Sequence, residues 1–465
     1  MAKTEDTHLQ TETGTANSKL LLTAIGLGIL LNPLNSSMIS VAMARLQEVF
    51  DLGFSDASWL ISTYYLASAI TMPVMGKLSD LFGQKKVFLI GMVLVVLSST
   101  TAPLAPTFAW LIVFRLIQAI GSGSIYPAGM AIVRKYFDEG RARALAVVAV
   151  FASTAAAFGP SIGGFLLDWG DWPTIFLINF PIIVIGFLLA LWVLPKDRKA
   201  GESKNPERFA WVKMLDVPGI LAFAALIVCG LLFLLSLKQE AIWWAGVVGI
   251  IAAVLFIRRE FRAKTPFIDL RLFGQNHTLT WVHIQFIVVN IIFYSTFFGI
   301  PIYLQNLRGF SARTTGLLML FIAGWSIVVS PLAGRWIERS GSRPALVLSS
   351  LFLTGGSVFL VTWHMDTPVW WLAVVLSLIG ISNGFNNVGL QNALFENTPA
   401  AVIGTASGLF MTARFFGTIL STLMLGLLFG DQFETGEVDW LGVVLAAFGA
   451  FVIWMSWSLP RKNKT

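Results

Sequence analysis

The chain has 465 residues, of which 56% are hydrophobic and only 12% are charged, with a formal net charge of +7. A soluble domain carries about a quarter charged residues, so this composition excludes a soluble protein and predicts an integral membrane protein. The long apolar runs exclude a β-barrel, whose strands alternate over roughly ten residues, and leave an all-α membrane fold.

Fourteen apolar stretches each approach the roughly twenty residues that one helical crossing requires. In chain order, the predicted membrane helices lie near 20–43, 57–76, 86–105, 108–134, 144–167, 172–194, 217–237, 241–257, 278–304, 314–337, 344–363, 368–394, 404–429 and 439–459. The polar first nineteen residues lack an apolar run followed by a cleavage site, so we expect no cleaved signal peptide. Cys229 is the only cysteine, which excludes disulfides within the chain.

A glycine-flanked charged motif occurs twice, each time between two predicted helices. The first copy contains Gly76, Asp80, Gly83, Lys85 and Lys86, and the second contains Gly334, Glu338, Arg339, Gly341 and Arg343. When the chain is shifted so that the first copy falls on the second, helix 20–43 falls on 278–301 and helix 108–134 falls on 366–392, which coincide with predicted helices. The sequence therefore predicts two related bundles, as in transporters that rock one bundle against the other.

This repeat divides the chain into seven segments. They are a tail at 1–19, a six-helix bundle at 20–194, a linker at 195–216, two inserted helices at 217–257, a connector at 258–277, a second six-helix bundle at 278–459 and a tail at 460–465. The linker is rich in Lys, Arg, Glu, Asn and Pro, which is typical of a solvated tether.

The distribution of positive charge predicts the orientation. Of the 32 Lys and Arg residues, two fall inside helices and only Arg45, Lys238, Arg308 and Arg313 face the side opposite the termini. We expect the chain to lie in the plasma membrane. By the positive-inside rule, both termini are expected on the cytoplasmic side. The same rule explains the net charge without nucleic acid as a partner.

Further motifs lead to a family resemblance. Arg115, Gln118 and Gly121 share the fourth predicted helix, Gly159, Pro160, Gly163 and Gly164 share the fifth, and the run from Pro266 to Phe273 precedes the ninth. Together with the repeated charged motif, these residues resemble the major facilitator superfamily, in particular its fourteen-helix drug:proton antiporter branch. The resemblance implies a major facilitator fold of two pseudo-symmetric six-helix bundles with two inserted helices. Leu81 and Asn35 depart from the branch, which usually has Arg and often Asp there.

Asp80 is predicted to act as a latch. A carboxylate at this helix end can hold the N-terminal dipole of a helix and a cation from the opposite bundle while one gate is closed. The alternative is an ordinary positively charged turn. For the glycine motif at 159–164, the resemblance implies a face that blocks leak in an antiporter, whereas a simple packing hinge predicts the same residues.

Three residues are candidates for coupling. Arg115 and Arg414 lie inside predicted helices, where a charge requires a cavity or a partner, although both can be structural. His283 is a candidate proton carrier or a hydrogen-bonded structural residue. No Asp or Glu lies in the middle of a predicted helix, so the cavity is expected to be neutral to positive, with Asp80 or Glu396 as alternative proton sites.

Polar residues on apolar helices are candidates for the substrate cavity, although many can instead join helices by hydrogen bonds. They are Asn32, Asn35, Ser36, Gln118, Tyr126, Gln285, Asn290, Tyr294, Asn383, Asn387 and Gln391.

The function expected from the sequence is proton-coupled efflux of small amphipathic compounds by alternating access. A lipid or lipid-precursor translocase, or a facilitative or uptake carrier for a neutral or anionic metabolite, remains open. No nucleophile–base pair, metal cluster or phosphate-binding loop is recognisable, so we expect neither an enzyme nor a cofactor other than the coupling proton. The expected partners are the substrate and the lipid bilayer, with the monomer as the functional unit.

Overall fold

The computed structural model describes residues 15–52, 54–137, 140–197, 215–236, 241–310, 312–428 and 435–460. Within these ranges, every regular element is a helix. Most of the predicted tails at 1–19 and 460–465, and most of the predicted linker at 195–216, lies outside the described residues.

The first eight helices form the N-terminal group. They are α1 (Thr15–Ile29), α2 (Leu31–Phe50), α3 (Phe54–Phe82), α4 (Gln84–Thr101), α5 (Phe108–Tyr136), α6 (Arg141–Gly170), α7 (Trp172–Leu177) and α8 (Asn179–Val193). The hydrogen bond from the Leu34 amide to the Leu30 carbonyl, at 3.0 Å, links α1 and α2 into one apolar stretch. The Ile178 amide joins α7 to α8 in the same way by donating to the Thr174 carbonyl at 3.0 Å.

The remaining helices form an inserted pair, a short connector helix and the C-terminal group. The inserted pair is α9 (Val217–Ser236) and α10 (Trp243–Arg262), and the connector helix is α11 (Leu270–Gln275). The C-terminal group is α12 (His277–Ile302), α13 (Ala312–Ser340), α14 (Ser342–Leu360), α15 (Val369–Glu396), α16 (Ile403–Leu428) and α17 (Thr435–Ser458).

Twelve helical segments in the described part of the chain are long and apolar enough to cross a membrane. Two more long helices fall outside this count. α3 carries many Ser, Thr and Tyr residues, and α10 ends in the charged run from Arg258 to Arg262. The chain is therefore an all-α, multi-pass membrane protein, and the predicted count of fourteen crossings is not confirmed.

Two helix pairs make the most extensive contacts between the groups. α3 packs along α16, and α6 packs along α13. The pattern is repeated, because α2 packs on α6 within the N-terminal group as α12 packs on α16 within the C-terminal group. The interface between the groups thus uses corresponding helices, α3 and α6 of the N-terminal group and α13 and α16 of the C-terminal group.

Both charged motifs form tight turns at one end of the bundle. Gly83, with φ of 109°, separates α3 from α4, and Gly341, with φ of 80°, separates α13 from α14. A positive φ is strained for residues that carry a Cβ, so glycine is required at both turns. We call this the Asp80 end. The opposite end, the Arg45 end, is marked by an ion pair from Arg45 Nε to Asp171 Oδ1 at 2.9 Å.

Candidate functional site

Asp80 connects the two groups at the Asp80 end. Its carboxylate accepts hydrogen bonds from the Gly404 amide at 3.0 Å, the Thr405 amide at 2.9 Å and the Thr405 hydroxyl at 2.8 Å. Gly404 and Thr405 lie in the first turn of α16, where free amide groups and the helix dipole favour a negative charge. The geometry therefore has the helix-dipole contact that the latch hypothesis requires.

Asp80 lies beyond the apolar stretch predicted at 57–76. Burial raises the pKa of its carboxyl to about 6, while the hydrogen bonds from Thr405 and Gly404 and the charge of Lys77 oppose that rise. Because burial dominates, this carboxyl can exchange a proton near physiological pH.

Glycine permits the close approach of α3 and α16 beside this contact. A Cβ on Gly76 would overlap the Gly404 carbonyl group, and a Cβ on Gly404 would lie 2.8 Å from the Gly76 carbonyl oxygen. The second motif copies the arrangement, since a Cβ on Gly334 would lie 2.7 Å from the Ala142 carbonyl oxygen of α6. Larger residues at these positions would force the groups apart.

The second motif uses different chemistry to join the groups. Glu338 of α13 forms an ion pair with Arg143 of α6. Arg339 is exposed, and Arg343 lies over the ring of Trp457, 5.5 Å from its centroid, within the C-terminal group. Among the described contacts of these three residues, only the Glu338 ion pair reaches the N-terminal group.

Lys85 and Lys86 act within the N-terminal group. Their amides donate to Asp197 Oδ1 and Oδ2 at 3.0 and 3.1 Å, so Asp197 caps the start of α4. The Lys85 ammonium donates to the carbonyls of Leu191 and Leu194 at 2.7 Å each, near the end of α8. The sequence analysis missed Asp197, because a carboxylate at the start of a polar linker carries no signal of its distant partner.

Arg115 lies in a buried polar network of the N-terminal group. It is 1% exposed, donates to Gln118 Oε1 at 2.5 Å, and lies over the ring of Tyr64 at 4.1 Å from the centroid. Gln118 and Asn179 both donate to Asn35 Oδ1, at 3.3 and 2.8 Å. The ion pairs recorded among the described residues do not include Arg115, so amide and aromatic groups surround its charge.

This network continues along α2 and α5. Asn32 Nδ2 donates to the Tyr64 hydroxyl at 3.0 Å, and that hydroxyl lies 3.0 Å from Ser122 Oγ. Ser36 donates to the Asn32 carbonyl on its own helix. The sequence analysis missed Tyr64 and Asn179, although each is a polar side chain inside an apolar stretch, the same signal that identified Asn35.

Arg414 lies among tyrosines at the junction of the groups. Its Nε and Nη2 atoms donate to the Tyr294 hydroxyl at 3.0 and 2.6 Å. Nearby, Tyr126 of the N-terminal group donates to Gln391 Oε1 of the C-terminal group at 3.0 Å. These predicted site residues therefore come together around the interface, with aromatic rings and amides as the available binding groups.

The remaining C-terminal candidates contact other neighbours. Gln285 donates to Ser456 Oγ of α17 at 2.7 Å, and Asn290 donates to the Phe286 carbonyl of its own helix at 2.7 Å. Asn383 Nδ2 donates to Ser326 Oγ at 3.2 Å, and Asn387 is half-buried. For Gln285, this geometry matches the alternative of a hydrogen bond between helices, whereas the Asn290 bond stays within one helix.

His283 is buried next to hydrophobic rings. Its Nδ1 lies 2.9 Å from the Leu279 carbonyl oxygen, and its ring packs edge-on against Phe273 and Phe410 at 5.1 and 5.8 Å. Nε2 has no hydrogen-bond partner among the described residues. The imidazole thus lies between aromatic rings and next to a main-chain carbonyl, which is compatible with the alternative of a hydrogen-bonded structural residue.

The glycine motif of α6 packs against α2. A Cβ on Gly159 would overlap Ser37 Oγ, and one on Gly163 would lie 3.1 Å from the Met38 Cα atom. Gly164 has nothing within 4 Å of a Cβ, and Pro160 is exposed. Gly159 and Gly163 therefore serve close helix packing within the N-terminal group.

Comparison with known sequences gives consistent matches along nearly the whole chain. The sequence profile of the Major Facilitator Superfamily matches residues 25–422. The uncharacterized MFS-type transporter YwoD of Bacillus subtilis is 45% identical over 446 residues, which cover 96% of this chain and 98% of YwoD. The multidrug transporter protein MdtP of the same species is 27% identical over 416 residues, covering 88% of this chain and 74% of MdtP. The riboflavin transporter RibZ of Clostridioides difficile is 26% identical over 416 residues, which cover 89% of this chain and 88% of RibZ.

Solved structures share the fold. The structure of the proton:xylose symporter XylE matches with a TM-score of 0.68 and 15% identity, covering 96% of this chain and 97% of XylE. The human organic anion transporter MFSD10 matches with a TM-score of 0.64 and 17% identity, covering 94% of this chain and 99% of MFSD10. At these identities, the likeness concerns the fold alone.

Proposed function

The chain belongs to the major facilitator superfamily of transporters, and from this premise we propose that it is a proton-coupled efflux transporter for small amphipathic compounds that works by alternating access. The observation that carries the proposal is the contact of Asp80 with the Gly404 and Thr405 amides. This contact lies at one end of the interface between the two helix groups. When the groups rock, such a contact can break, so it can form in one conformation and be absent from the other.

We further propose fourteen crossings, with α3 and α10 added to the twelve apolar helical segments. α3 lies between two groups of helices rather than facing lipid along its length, which accounts for its polar residues. The charges at the end of α10 fit a cytoplasmic surface. Both termini then lie in the cytoplasm, the Asp80 end is cytoplasmic, and a monomer in the plasma membrane is the functional unit. No enzymatic activity is proposed.

The proposed substrates are neutral, amphipathic or anionic rather than permanently cationic. Arg115 and Arg414 bring positive charge to the buried region, and tyrosine rings beside them supply apolar surface. A permanent cation would require a buried carboxylate to offset its lost hydration. The similarity to the multidrug transporter protein MdtP supports amphipathic compounds.

A carrier for a neutral or anionic metabolite is the second candidate. The pairing of Arg414 with the Tyr294 hydroxyl favours it, since a guanidinium beside a phenol can bind an anionic oxygen. The similarity to the riboflavin transporter RibZ supports the same direction. A lipid translocase would use the same arginines for a phosphate headgroup.

Asp80 is our proposed proton acceptor. Its carboxyl has a pKa of about 6 and lies in the contact that separates the two conformations, whereas His283 is enclosed by Phe273 and Phe410. Glu396 accepts from Asn392 and Ser342, both in the C-terminal group, so its contacts do not cross the interface.

The decisive experiment measures internal pH in proteoliposomes exposed to cationic, neutral and anionic amphipaths. We expect neutral or anionic compounds to drive proton movement, His283→Ala to keep it, and Asp80→Asn to lose it while retaining exchange of labelled substrate. Retained exchange shows that the variant is folded and still binds. Absence of proton movement with every compound would refute the antiporter, and labelled-lipid flux would then test the translocase.

The latch itself is tested by Gly76→Ala. A Cβ there would overlap the Gly404 carbonyl, so we expect the closed form to lose population. The measurement is the distance between spin labels at Lys135→Cys and Arg339→Cys, two exposed positions on either side of the interface, in a Cys229→Ser background. Gly324→Ala is the matched control because nothing lies within 4 Å of its Cβ. Equal distance distributions in both variants would contradict the latch.

A further inference from the structure

Two buried carboxylates lie where the inserted pair meets the connector, away from the network around Arg115 and Arg414. Asp216 immediately precedes α9 and is 3% exposed, and Glu260 lies near the end of α10 and is 1% exposed. Neither residue appears among the predicted site residues. Carboxylates are rarely buried this deeply unless they are paired, so each requires an explanation.

Each carboxylate has one oxygen with a partner and one without. Asp216 Oδ1 accepts from Arg259 Nε at 2.9 Å, and Glu260 Oε2 accepts from the Ile268 amide at 3.0 Å. Asp216 Oδ2 and Glu260 Oε1 are buried and have no hydrogen-bond partner among the described residues.

The two unpaired oxygens face the same small space. A Cβ built on Gly219 would lie 2.6 Å from Asp216 Oδ2 and 2.7 Å from Glu260 Oε1. Atoms that both approach one point so closely lie within a few ångströms of each other. Two ionised carboxylates in that position would repel one another in a poorly hydrated site.

The charges around the pair do not neutralise both acids. Arg259 contacts only Asp216, and Lys77 of α3 points its ammonium at the Pro266 carbonyl, 2.9 Å away. The other charged residues of this region are exposed: Arg258, Arg262, Lys264, Asp269 and Arg271. Among the described residues, Asp216 therefore has an ion-pair partner when both acids are ionised, and Glu260 has none.

Burial and, to a lesser extent, the negative charge of Asp216 raise the pKa of Glu260 to about 7, against the opposing effects of the Ile268 and Phe267 amides and the charge of Lys77. Glu260 lies beyond the apolar stretch predicted at 241–257. The carboxyl therefore holds its proton at a pH where ordinary glutamates are ionised.

Phenylalanine rings close the site and tie it to the latch helices. Phe223, Phe256 and Phe267 are each at least 95% buried and pack with Ile268 in one cluster. Val74 of α3 and Leu409 of α16 pack against the same cluster. The inserted pair thus touches both helices whose contact is held by Asp80.

We propose that Asp216 and Glu260 bind one proton between them, and that this shared proton clamps the inserted pair and the connector onto the junction of α3 and α16. In the protonated form, Glu260 Oε1 donates to Asp216 Oδ2, so both unpaired oxygens are satisfied. The proton enters from the solution at the Asp80 end and leaves the same way. When it leaves, repulsion between the carboxylates loosens the clamp.

Infrared titration of the purified protein in lipid nanodiscs tests this site without any transport measurement. Above about pH 5, where ordinary carboxyl groups are already ionised, the remaining carboxylic-acid C=O band should disappear in two steps, near pH 6 for Asp80 and near pH 7 for Glu260. We expect Glu260→Gln to remove only the upper step and Asp80→Asn to remove only the lower one. An upper step that survives in Glu260→Gln would overturn the proposal.

Asp216→Asn provides a second variant in case Glu260→Gln does not fold. It removes the neighbouring negative charge, so the upper midpoint should fall by about one pH unit. A midpoint that does not move would show that the acids do not share a proton. Loss of the upper step when the titration is repeated in NaCl but not in choline chloride would identify a sodium site instead and likewise overturn the proposal. Because neither variant's readout depends on substrate, failure here leaves the proposed efflux function to its own test.

Discussion

At the scale of single residues, the Asp80 carboxyl is the most informative group of the interface. It receives three hydrogen bonds from the start of α16, yet burial still raises its pKa to about 6. The donors favour the ionised form and burial favours the protonated form, and burial has the larger effect. The closed contact is therefore sensitive to pH.

The pH dependence of closure follows with a definite sign. When the groups separate and water reaches Asp80, its pKa should return toward 3.8, so the closed form binds the proton more tightly. The closed form's advantage is then fully present below about pH 4 and is lost as the pH rises through about 6. Spin labels at Lys135→Cys and Arg339→Cys should show the closed fraction falling over this window, by at most roughly a hundredfold in the equilibrium.

The matched variant for this prediction is Asp80→Asn. Its amide cannot titrate, so the Asp80 contribution to the change in closed fraction should vanish. The isosteric control is Glu48→Gln at the exposed Arg45 end, which should keep the wild-type pH dependence. A closed fraction that rises with pH in the wild type would contradict the assignment.

How far the sequence predicted the site differs from residue to residue. Because the charged glycine motif recurs in both halves, the sequence predicted that Asp80 can hold a helix dipole and a cation from the opposite bundle. The cation whose charge acts on Asp80 is Lys77 of its own helix. The sequence could not identify Thr405 as the partner, since nothing in the local pattern records a contact across more than half of the chain. Asn179 and Tyr64 were missed for a different reason: both carry the signal that selected Asn35, and both join it in the network around Arg115.

At the scale of the helices, apolar stretches located the elements but not their ends. The stretch predicted at 57–76 corresponds to α3, which runs from Phe54 to Phe82. Hydropathy marks only the part of a helix that faces an apolar environment, while polar turns continue the helix beyond it. The breaks at Leu30 and Ile178 and the short helix α11 carry no hydropathy signal, so they could not be predicted.

Packing of α6 against α2 gives a prediction at this scale. Gly159→Ala places a methyl group on Ser37 Oγ, and such overpacking costs about 1–3 kcal/mol. We expect a lower thermal unfolding temperature in detergent, measured by tryptophan fluorescence. Gly164→Ala, one turn further along the same helix, has open space and should unfold like the wild type. Equal losses in both variants would contradict the role of the contact with α2, because the higher helix propensity of alanine would by itself stabilise both variants.

At the scale of the whole molecule, the repeat in sequence has a counterpart in packing. Gly76 lies against α16 and Gly334 lies against α6, so each copy of the motif meets the corresponding helix of the other group. The two copies then diverge, since Asp80 binds main-chain amides while Glu338 binds the Arg143 side chain. The sequence revealed the repeat but not this difference in partners.

The number of crossings is tested with single cysteines in a Cys229→Ser background. Glu48 and Lys86 flank α3, and Trp243 and Lys264 flank α10; all four are exposed. If both helices cross, a membrane-impermeant maleimide should label Glu48→Cys and Trp243→Cys in intact cells. Lys86→Cys and Lys264→Cys should react only after permeabilisation. Labelling of both members of either pair from one side would remove that helix from the count.

Asp80 binds main-chain amides, and this has a consequence for how the sequence of this chain can evolve. An amide N–H is present at every position except proline, so closure does not depend on which side chain α16 carries at Gly404 beyond its small size. The Thr405 side chain adds only one of the three hydrogen bonds. Residues deeper along the same helix, such as Arg414, can therefore be exchanged to suit a new cargo without rebuilding the closing device. The proposed gate and the proposed binding surface share one helix but are separable under selection.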